Sequence, residues 1–410
     1  MVALPWFVLE TTGSAGRTGL IGMMAALPAL ASGILGGVLV DRLGGRRMSV
    51  ISDIISGAAV LLIPLLYQTS GLNFAGLMLL VFAGAALDIP GVTARRLLLP
   101  ELAHNAGVRD EAITSAYETM QGASWIVGPA LAGLLIHWIG TVNLLWLTAA
   151  GFGISAICIG LFSPAGKHLP EAGGPHAATG AVAEIKAGFR YLRTDSLLLS
   201  LAVGLTLMNF LFGPYWSVVL PVQIDDRFGV ASRFGLMLTM LGIGNLLGGL
   251  LYGAIGHQFR ARRREIYLIG VASFPIMLWV FVTRIPYPAM IVSALLAGLF
   301  SGPVNPLLVN VRMERIPKEL RGRVFATFSG LAGAATPLGM VIAGWLLEVS
   351  GVRPGLAILA SVATLFTIGL WLTKPLREMN VVSTETVAAT TMPGRTPLGR
   401  RDPRMDSESN

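Results

Sequence analysis

The sequence predicts an all-α protein that crosses a membrane many times. Of its 410 residues, 54% are hydrophobic and only 13% are charged, which is about half of the roughly 25% that a soluble domain carries. Mean hydropathy is +0.70, and the apolar residues lie in long runs separated by short basic loops. A soluble fold of this composition would have almost no water-facing side, so the chain fits the lipid bilayer as its solvent.

Each apolar run has about the 20 residues that a membrane-spanning helix needs. Residues 1–12 resemble the last turns of a further span whose beginning is not in the sequence. We therefore expect a polytopic bundle of 6+6 helices, with eleven full spans plus a truncated first helix. The full spans are predicted at 19–40, 49–68, 74–94, 115–139, 142–163, 198–222, 234–257, 266–283, 288–310, 323–349 and 354–373.

The connections divide the spans into two groups. Turns such as Gly140–Thr141 and Ser350–Arg353 are tight, which favours antiparallel neighbouring helices. The longest internal connection ends in a basic amphipathic pattern that fits either a helix on the membrane surface or a solvated linker helix. The predicted organisation is an N-terminal half-bundle (1–163), a cytoplasmic central loop (164–197), a C-terminal half-bundle (198–373) and a disordered cytoplasmic tail (374–410).

Loop charges predict how the spans are oriented. Of the 30 lysines and arginines, 25 lie on one side of the predicted membrane, and the other five are Arg17, Arg227, Arg233, Arg284 and Arg353. Cytoplasmic loops carry an excess of Lys and Arg, so the side with 25 is predicted to be cytoplasmic. The chain is thus expected to be a multi-pass protein of the cell (cytoplasmic/inner) membrane with its C-terminus in the cytoplasm.

The two groups of spans repeat local signatures in the same order. Gly36–Leu39 matches Gly248–Leu251 at an offset of 212 residues, and Gly128–Pro129 matches Thr336–Pro337 at an offset of 208. These matches indicate an internal duplication. A duplicated set of spans is a known design of secondary transporters, which place the substrate path between the two halves.

Two segments carry a resemblance to a known family. The stretch Gly37 to Arg47, Gly-Val-Leu-Val-Asp-Arg-Leu-Gly-Gly-Arg-Arg, resembles motif A of the major facilitator superfamily. Ser124 to Gly133, Ser-Trp-Ile-Val-Gly-Pro-Ala-Leu-Ala-Gly, resembles motif C, which marks exporters and antiporters there, although two small residues replace glycines. Residues 3–13 and 94–102 are similar to the branch of enterobactin exporters and macrolide-efflux proteins. The resemblance covers nearly the whole chain and implies a major-facilitator-type bundle.

The resemblance also implies a latch between the halves at motif A. The Asp41 carboxylate can accept N–H bonds at a helix N-terminus, and in the family that helix is the eleventh span. The motif A arginines can pair with carboxylates at the same end of the bundle. Such a latch is intact in one transport state and broken in the other. The alternative is that these charges only set topology and contact lipid headgroups.

Carboxylates inside a membrane span are costly and usually functional. Asp53, Asp88 and Glu118 lie toward the predicted cytoplasmic face, near two arginines. One interpretation is a gating ion-pair network with motif A; the other is that Asp88 or Glu118 carries a coupled proton. The gating candidates are Gly37, Asp41, Arg42, Gly44, Arg46, Arg47, Asp53, Asp88, Arg95, Arg96 and Glu118.

Small residues recur every four positions beside two prolines. Small faces let helices approach closely, and a proline can kink a helix. The pattern fits either helices that rock against their partners or plain tight packing. The first small-residue ridge is Ser124, Gly128 and Ala132, and the second is Ala335, Gly339 and Ala343. The motif C candidates are Ser124, Gly128, Pro129, Gly133 and Pro337.

Polar and aromatic residues near the middle of the predicted membrane are candidates for a substrate cavity. Amide and aromatic groups without lysine or arginine suit a largely apolar ligand with a few hydrogen bonds, although packing between helices is the alternative for each residue. The candidates are Trp125, Thr206, Asn209, Tyr215, Trp216, Asn245, Ser301 and Asn305.

Together these features predict a secondary transporter that exports small amphipathic molecules, such as drugs, siderophores or secondary metabolites, by proton-coupled alternating access. No Walker A motif is present, and the five histidines and single cysteine form no catalytic set, so neither an enzyme nor a cofactor or metal is expected. We expect a monomer that contacts lipid and no nucleic acid. The alternatives are a metabolite uptake transporter and a truncated, non-transporting homologue.

Overall fold

The computed structural model describes residues 2–163 and 186–380, without the side chains of residues 31–38. The described residues are almost entirely helical and contain no β-strand, which confirms the predicted all-α fold. Nine stretches among them are long and apolar enough to cross a membrane, and one of these, Ala231–Val282, has 52 residues and is long enough to cross it twice. The count of eleven full spans stays a prediction. The predicted central loop and tail lie partly outside the described residues.

The first half-bundle contains seven helices. They are α1 (Ala3–Thr12), α2 (Ala15–Leu43), α3 (Gly45–Thr69), α4 (Phe74–Ala85), α5 (Asp88–Ala106), α6 (Asp110–Ile139) and α7 (Thr141–Phe162).

The second half-bundle begins with a short helix, α8 (186–192). It continues with α9 (Ser196–Pro214), the π-helical turn Tyr215–Val219, α10 (Leu220–Phe228), α11 (Ala231–Ile255), α12 (Arg263–Val282), α13 (Tyr287–Ser301), α14 (Val304–Arg315), α15 (Arg321–Ser350) and α16 (Val352–Leu372).

Three pairs of consecutive helices are joined by a single glycine. Gly44, Gly140 and Gly351 have φ of 79°, 82° and 81° and ψ of 155°, 161° and 162°. This combination is open essentially only to glycine. The helices on either side therefore reverse direction within one residue, as the tight turns at Gly140–Thr141 and Ser350–Arg353 predicted.

The turns define two ends of the bundle. The end that holds Gly44, the α5–α6 turn and the α14–α15 turn carries most of the arginines and is called the basic end. The end that holds Gly140 and Gly351 is called the opposite end.

The fourth span is broken, and a neighbouring helix pairs the exposed backbone. The break separates α4 from α5 at residues 86–87. On α3, Ser52 Oγ donates to the Leu87 carbonyl oxygen at 2.8 Å and Ser56 Oγ donates to the Gly84 carbonyl oxygen at 2.7 Å. Backbone groups at membrane depth must be paired inside the protein, so these two serines make the break tolerable. The corresponding span of the second half is broken between α13 and α14.

Two short segments cover the basic end of the second half-bundle. Helix α8 packs on α15 through Gly188, and Leu192 is fully buried. Lys374–Asn380 forms a 3-10 helix, and its Leu376 and Met379 join the same apolar cluster as Leu192. The first seven residues of the expected tail are therefore helical, because two of their apolar side chains complete the core.

The two half-bundles cross at two sites near the opposite end. Helix α2 crosses α15 where Gly19 faces Gly344, and α6 crosses α11 where Gly133 faces Gly235. A Cβ added at Gly344 would lie 2.7 Å from the Ala15 carbonyl oxygen. The helix backbones therefore touch directly, which only small residues permit.

The internal repeat relates the two crossings. Helices α2 and α11 are the second spans of their halves, and α6 and α15 are the fifth. Gly19 and Gly235 are 216 residues apart and Gly133 and Gly344 are 211 apart, close to the offsets of the sequence signatures. Each of these glycines lies in the part of its helix nearer the opposite end, so these crossings join the halves at that end.

A methyl group at one crossing tests this packing. We expect Gly235→Ala to lower the midpoint of thermal unfolding in detergent, because the added Cβ would meet the Pro129 carbonyl oxygen and overpacking costs about 1–3 kcal/mol. The matched control is Gly242→Ala on the same helix, whose Cβ would have its nearest neighbour at 3.4 Å. Equal midpoints for the two variants would contradict the direct backbone contact.

Candidate transport site and gates

Asp41 of motif A lies at the basic end without a partner among the described residues. Its side chain is exposed, and it forms no ion pair or hydrogen bond with the described residues. The first turn of α15, the helix that Asp41 is expected to cap, begins at Leu320 without a side-chain cap. Both sides of the predicted latch are therefore present and separate in this structure.

The other motif A residues have different surroundings. Arg46 Nη2 donates to the Gly160 carbonyl oxygen of α7, so this arginine ties α3 to α7. Arg42 and Arg47 are exposed. Gly44 is the single-residue turn, and Gly37 lies among residues 31–38, whose side chains are not described.

Asp53 is the centre of a buried polar cluster. Its side chain is 1% exposed, and Oδ1 accepts from Arg95 Nη1 at 2.8 Å. Oδ2 accepts from Ser155 Oγ at 2.6 Å. Helices α3, α5 and α7 are therefore joined through one carboxylate. Ser155 was not a candidate, because a serine inside an apolar span gives no signal until its partner is known.

The other two intramembrane carboxylates have weaker contacts. Asp88 Oδ1 accepts from Ser56 Oγ at 3.2 Å. Glu118 Oε1 and Arg96 Nη2 are 3.0 Å apart, with both side chains 55% exposed, and an exposed pair contributes about 0–1 kcal/mol. Arg95 and Arg96 thus serve two separate pairs instead of one continuous network.

The second half carries an ion pair of reversed polarity in the equivalent place. Arg263 of α12 binds Glu314 of α14 through two hydrogen bonds of 2.6 and 2.7 Å. In the first half the carboxylate is on α3 and the arginine on α5; here the arginine comes first. Arg315 adds contacts to Asp195 at 3.3 Å and to Glu378 at 3.0 Å. These pairs were missed because sequence patterns alone do not say which distant charges meet.

The motif C residues lie on α6, which contacts the other half through residues one position after those of the predicted ridge. Pro129 and Gly133 face Gly235, whereas Gly128 has no neighbouring atom within 4 Å of an added Cβ. Ser124 Oγ donates to the Met120 carbonyl oxygen of its own helix at 2.8 Å. The contact ridge is therefore displaced by one position from the predicted ridge.

The second ridge lies on α15 and packs inside its own half. Gly339 faces the Phe210 carbonyl oxygen and the ring of Pro214 on α9. Ala335, Pro337 and Ala343 are also buried. Both α6 and α15 continue as helix through Pro129 and Pro337.

An aromatic cluster surrounds the π-helical turn that follows α9. The Tyr215 ring lies 4.6 Å from Trp216 and 5.5 Å from Phe274, and Phe212 lies 5.0 Å from both Trp216 and Phe274. The Tyr215 hydroxyl and the Trp216 indole N–H are buried without a hydrogen-bond partner among the described residues. This turn also contacts α2 and α15, so it lies at the interface of the halves.

The remaining cavity candidates are spread over five helices. Thr206 and Asn209 bond to the carbonyl oxygens four residues earlier on α9, at 2.8 and 2.9 Å. Asn245 Nδ2 lies 3.5 Å from Ser301 Oγ. Two further candidates, Asn305 of α14 and Trp125 of α6, are exposed. The structure thus brings together Tyr215 with Trp216 and Asn245 with Ser301.

Two helical half-bundles that cross through paired glycines, with the charged pairs of the described residues inside each half, fit a multi-pass membrane transporter. The Major Facilitator Superfamily model matches residues 1–231 and 206–401. The chain therefore belongs to the Major Facilitator Superfamily, as motif A indicated.

Similar proteins agree with this assignment. The multidrug efflux pump Tap of Mycolicibacterium fortuitum is 34% identical over 388 residues, which is 93% of each chain. Macrolide efflux protein A of Streptococcus pyogenes is 24% identical over 364 residues, 86% of each chain. The crystal structure of the nucleoside transporter NupG matches with a TM-score of 0.68 at 15% identity, over 91% of this chain and 93% of that one. The D-xylose-proton symporter matches with a TM-score of 0.62 at 16% identity, over 89% of each chain.

The buried pair in the first half can be tested against its exposed neighbour. We expect Arg95→Ala to lower the thermal midpoint strongly, because it leaves the Asp53 carboxylate buried and unpaired, at a cost of about 3–5 kcal/mol. Arg96→Ala removes only the exposed pair and should change it little. Adding Asp53→Asn to Arg95→Ala should recover part of the loss. Similar midpoints for the two single variants would refute the difference in burial.

Proposed function

We propose that this chain exports small, largely apolar molecules with a few hydrogen-bond acceptors by alternating access between its half-bundles. The observation that carries the proposal is the aromatic cluster at the interface of the halves, in which Tyr215 and Trp216 hold two buried donors without described partners. Buried donors are normally paired, so these two fit acceptor groups of a ligand or ordered water. Because the cluster is aromatic, the complementary ligand surface is apolar.

The similarity to named efflux pumps supports the direction of transport. Tap, at 34% identity over 93% of both chains, is named a multidrug efflux pump, and motif C is the pattern that marks exporters. We assign the basic end to the cytoplasm on the excess of Lys and Arg there, which also places the C-terminus in the cytoplasm. The structure then corresponds to the state that is open to the cytoplasm, with the glycine crossings closed on the outside.

The contacts suggest which parts of the chain move and which part acts as a gate in this cycle. The first six spans (1–163) and the last six (198–373) act as the moving bodies, each held by its own buried ion pair. Asp41 caps the first turn of α15 when the cytoplasmic end closes. A monomer is sufficient, because both halves belong to one chain.

Protons are the proposed driving ion. Asp88 and Glu118 are intramembrane carboxylates outside the buried Asp53 pair, which makes them the candidates to carry a proton. A proton carried by either group would make transport depend on pH in the wild type. That dependence would be lost in Asp88→Asn or Glu118→Gln if the group is the carrier, and kept if the group only gates.

A transport assay tests the proposed function. We would measure the accumulation of a panel of lipophilic dyes and antibiotics in cells lacking their main efflux pumps, with and without the protein. Lower accumulation that an uncoupler abolishes would support proton-driven export. Higher accumulation with the protein would favour uptake, and no difference for any compound would count against export of this ligand class.

A substitution at motif A tests the gate. We expect Asp41→Asn to reduce efflux about 10-fold or more at normal membrane abundance, because a neutral amide stabilises a helix N-terminus less than a carboxylate does. The control is Asp110→Asn, which neutralises an exposed carboxylate in the first turn of α6 at the same end. Unchanged efflux in Asp41→Asn, measured with the best dye of the panel, would defeat the latch.

A further inference from the structure

Helices α2 and α15 run antiparallel and belong to different halves. Each has a carboxylate in its C-terminal part, close to the level at which the other helix begins. Asp41 occupies this position on α2 at the basic end, and Glu348 occupies it on α15 at the opposite end. The same helix pair thus has one acidic side chain at each end.

Glu348 makes the contact that Asp41 lacks. Its Oε2 accepts from the Gly16 backbone N–H at 3.0 Å and from Ser14 Oγ at 3.1 Å. Ser14 is the N-cap of α2, and its Oγ accepts from the Arg17 N–H at 3.1 Å. Glu348 and Ser14 together therefore pair two of the N–H groups that a helix leaves free in its first turn.

The physical basis is charge at a helix terminus. The first turn of a helix carries partial positive charge, and a carboxylate there is stabilising. The glycine crossing at Gly19 and Gly344, one turn further into the bundle, brings the two backbones into contact and holds Glu348 within reach. The hydrogen bonds can form only while the halves are closed at this end.

A single rotation of one half against the other would account for the difference between the two ends of the α2–α15 pair. At the opposite end the α2 N-terminus is capped across the halves, whereas at the basic end the first turn of α15 has no side-chain cap and Asp41 is exposed. A rotation of one half against the other would separate Glu348 from Gly16 and bring Asp41 to α15.

We propose that Glu348 is a second latch, which holds the opposite end closed by capping α2 from the other half, and that it alternates with Asp41 at the basic end. The inference deepens the proposed function and rests on its alternating access. Glu348 acts as a positioning residue that sets the balance between the two transport states and does not contact the substrate.

The test measures the opening of the opposite end without any substrate. In a Cys158→Ala background, which removes the only cysteine, a reporter cysteine replaces either Thr18 of α2 or Thr239 of α11. These side chains are 1% and 8% exposed. Thr239 lies at the other crossing, where its Oγ1 donates to the Ile126 carbonyl oxygen at 2.8 Å, so fraying of α2 alone would not expose it. The readout is the labelling rate with a membrane-impermeant maleimide, in intact cells and in inside-out vesicles.

We expect Glu348→Ala to raise labelling of both reporters about 5-fold or more, since loss of a cap shifts a two-state balance by about that factor. Glu348→Gln should have a smaller effect, because its amide oxygen can still accept from Gly16. Asp41→Asn should leave labelling unchanged or lower it. The matched control is Asp226→Ala, an exposed carboxylate at the same end, which should leave the rate unchanged.

Three results would overturn the latch. The first is labelling of Glu348→Ala at the rate of its parent. The second is a rise in labelling of Thr18→Cys without one of Thr239→Cys, and the third is an equal rise in Asp226→Ala. Membrane abundance of each variant is measured in parallel, so that a folding defect is recognised. Failure of the dye panel with a positive labelling result would reject the proposed substrate class and leave the latch in place.

Discussion

Direct backbone contact between the two half-bundles is the constraint on which the rest of the structure depends. Gly19 meets Gly344 and Gly133 meets Gly235, and no larger residue would let these helices approach as closely. In lipid there is little hydrophobic gain from joining helices, so the contact relies on packing and hydrogen bonds. Such contacts are strong while the surfaces match and are lost together when one half rotates. This behaviour fits a bundle that alternates between two discrete arrangements of its halves.

The charged pairs inside each half stabilise that half and do not join the two halves. The pairs Asp53–Arg95 and Arg263–Glu314 hold the basic end of their own half-bundle together. They stay within one half, so they can persist while the halves move. Both pairs join the third span of their half to the broken fourth span, with the charges in opposite order. Charges that link the halves, by contrast, lie at helix ends, where a small motion makes or breaks a cap.

Much of the site could be predicted from the sequence, but its partners could not. Asp53 and Arg95 were candidates because charge is costly in a span, yet Ser155 became evident only when α7 was placed beside α3. Gly133 of motif C lies in the contact between the halves, whereas Gly128 of the predicted ridge has no neighbouring atom within 4 Å of an added Cβ, because helix rotation is set by the neighbouring helix. Glu348 belongs to no motif and lies in the last turn of α15, so its contact with α2 became evident only when the two helices were placed together.

The sequence by itself determined that the chain is helical, crosses the membrane many times, repeats itself and belongs to a transporter family. These properties follow from composition, period and local motifs, which act over a few residues. Only the tertiary structure decided where the backbones of the two halves touch and which carboxylate is bound. Those outcomes depend on contacts between residues more than 300 positions apart, such as Glu348 with Gly16, and on the state that the two halves adopt.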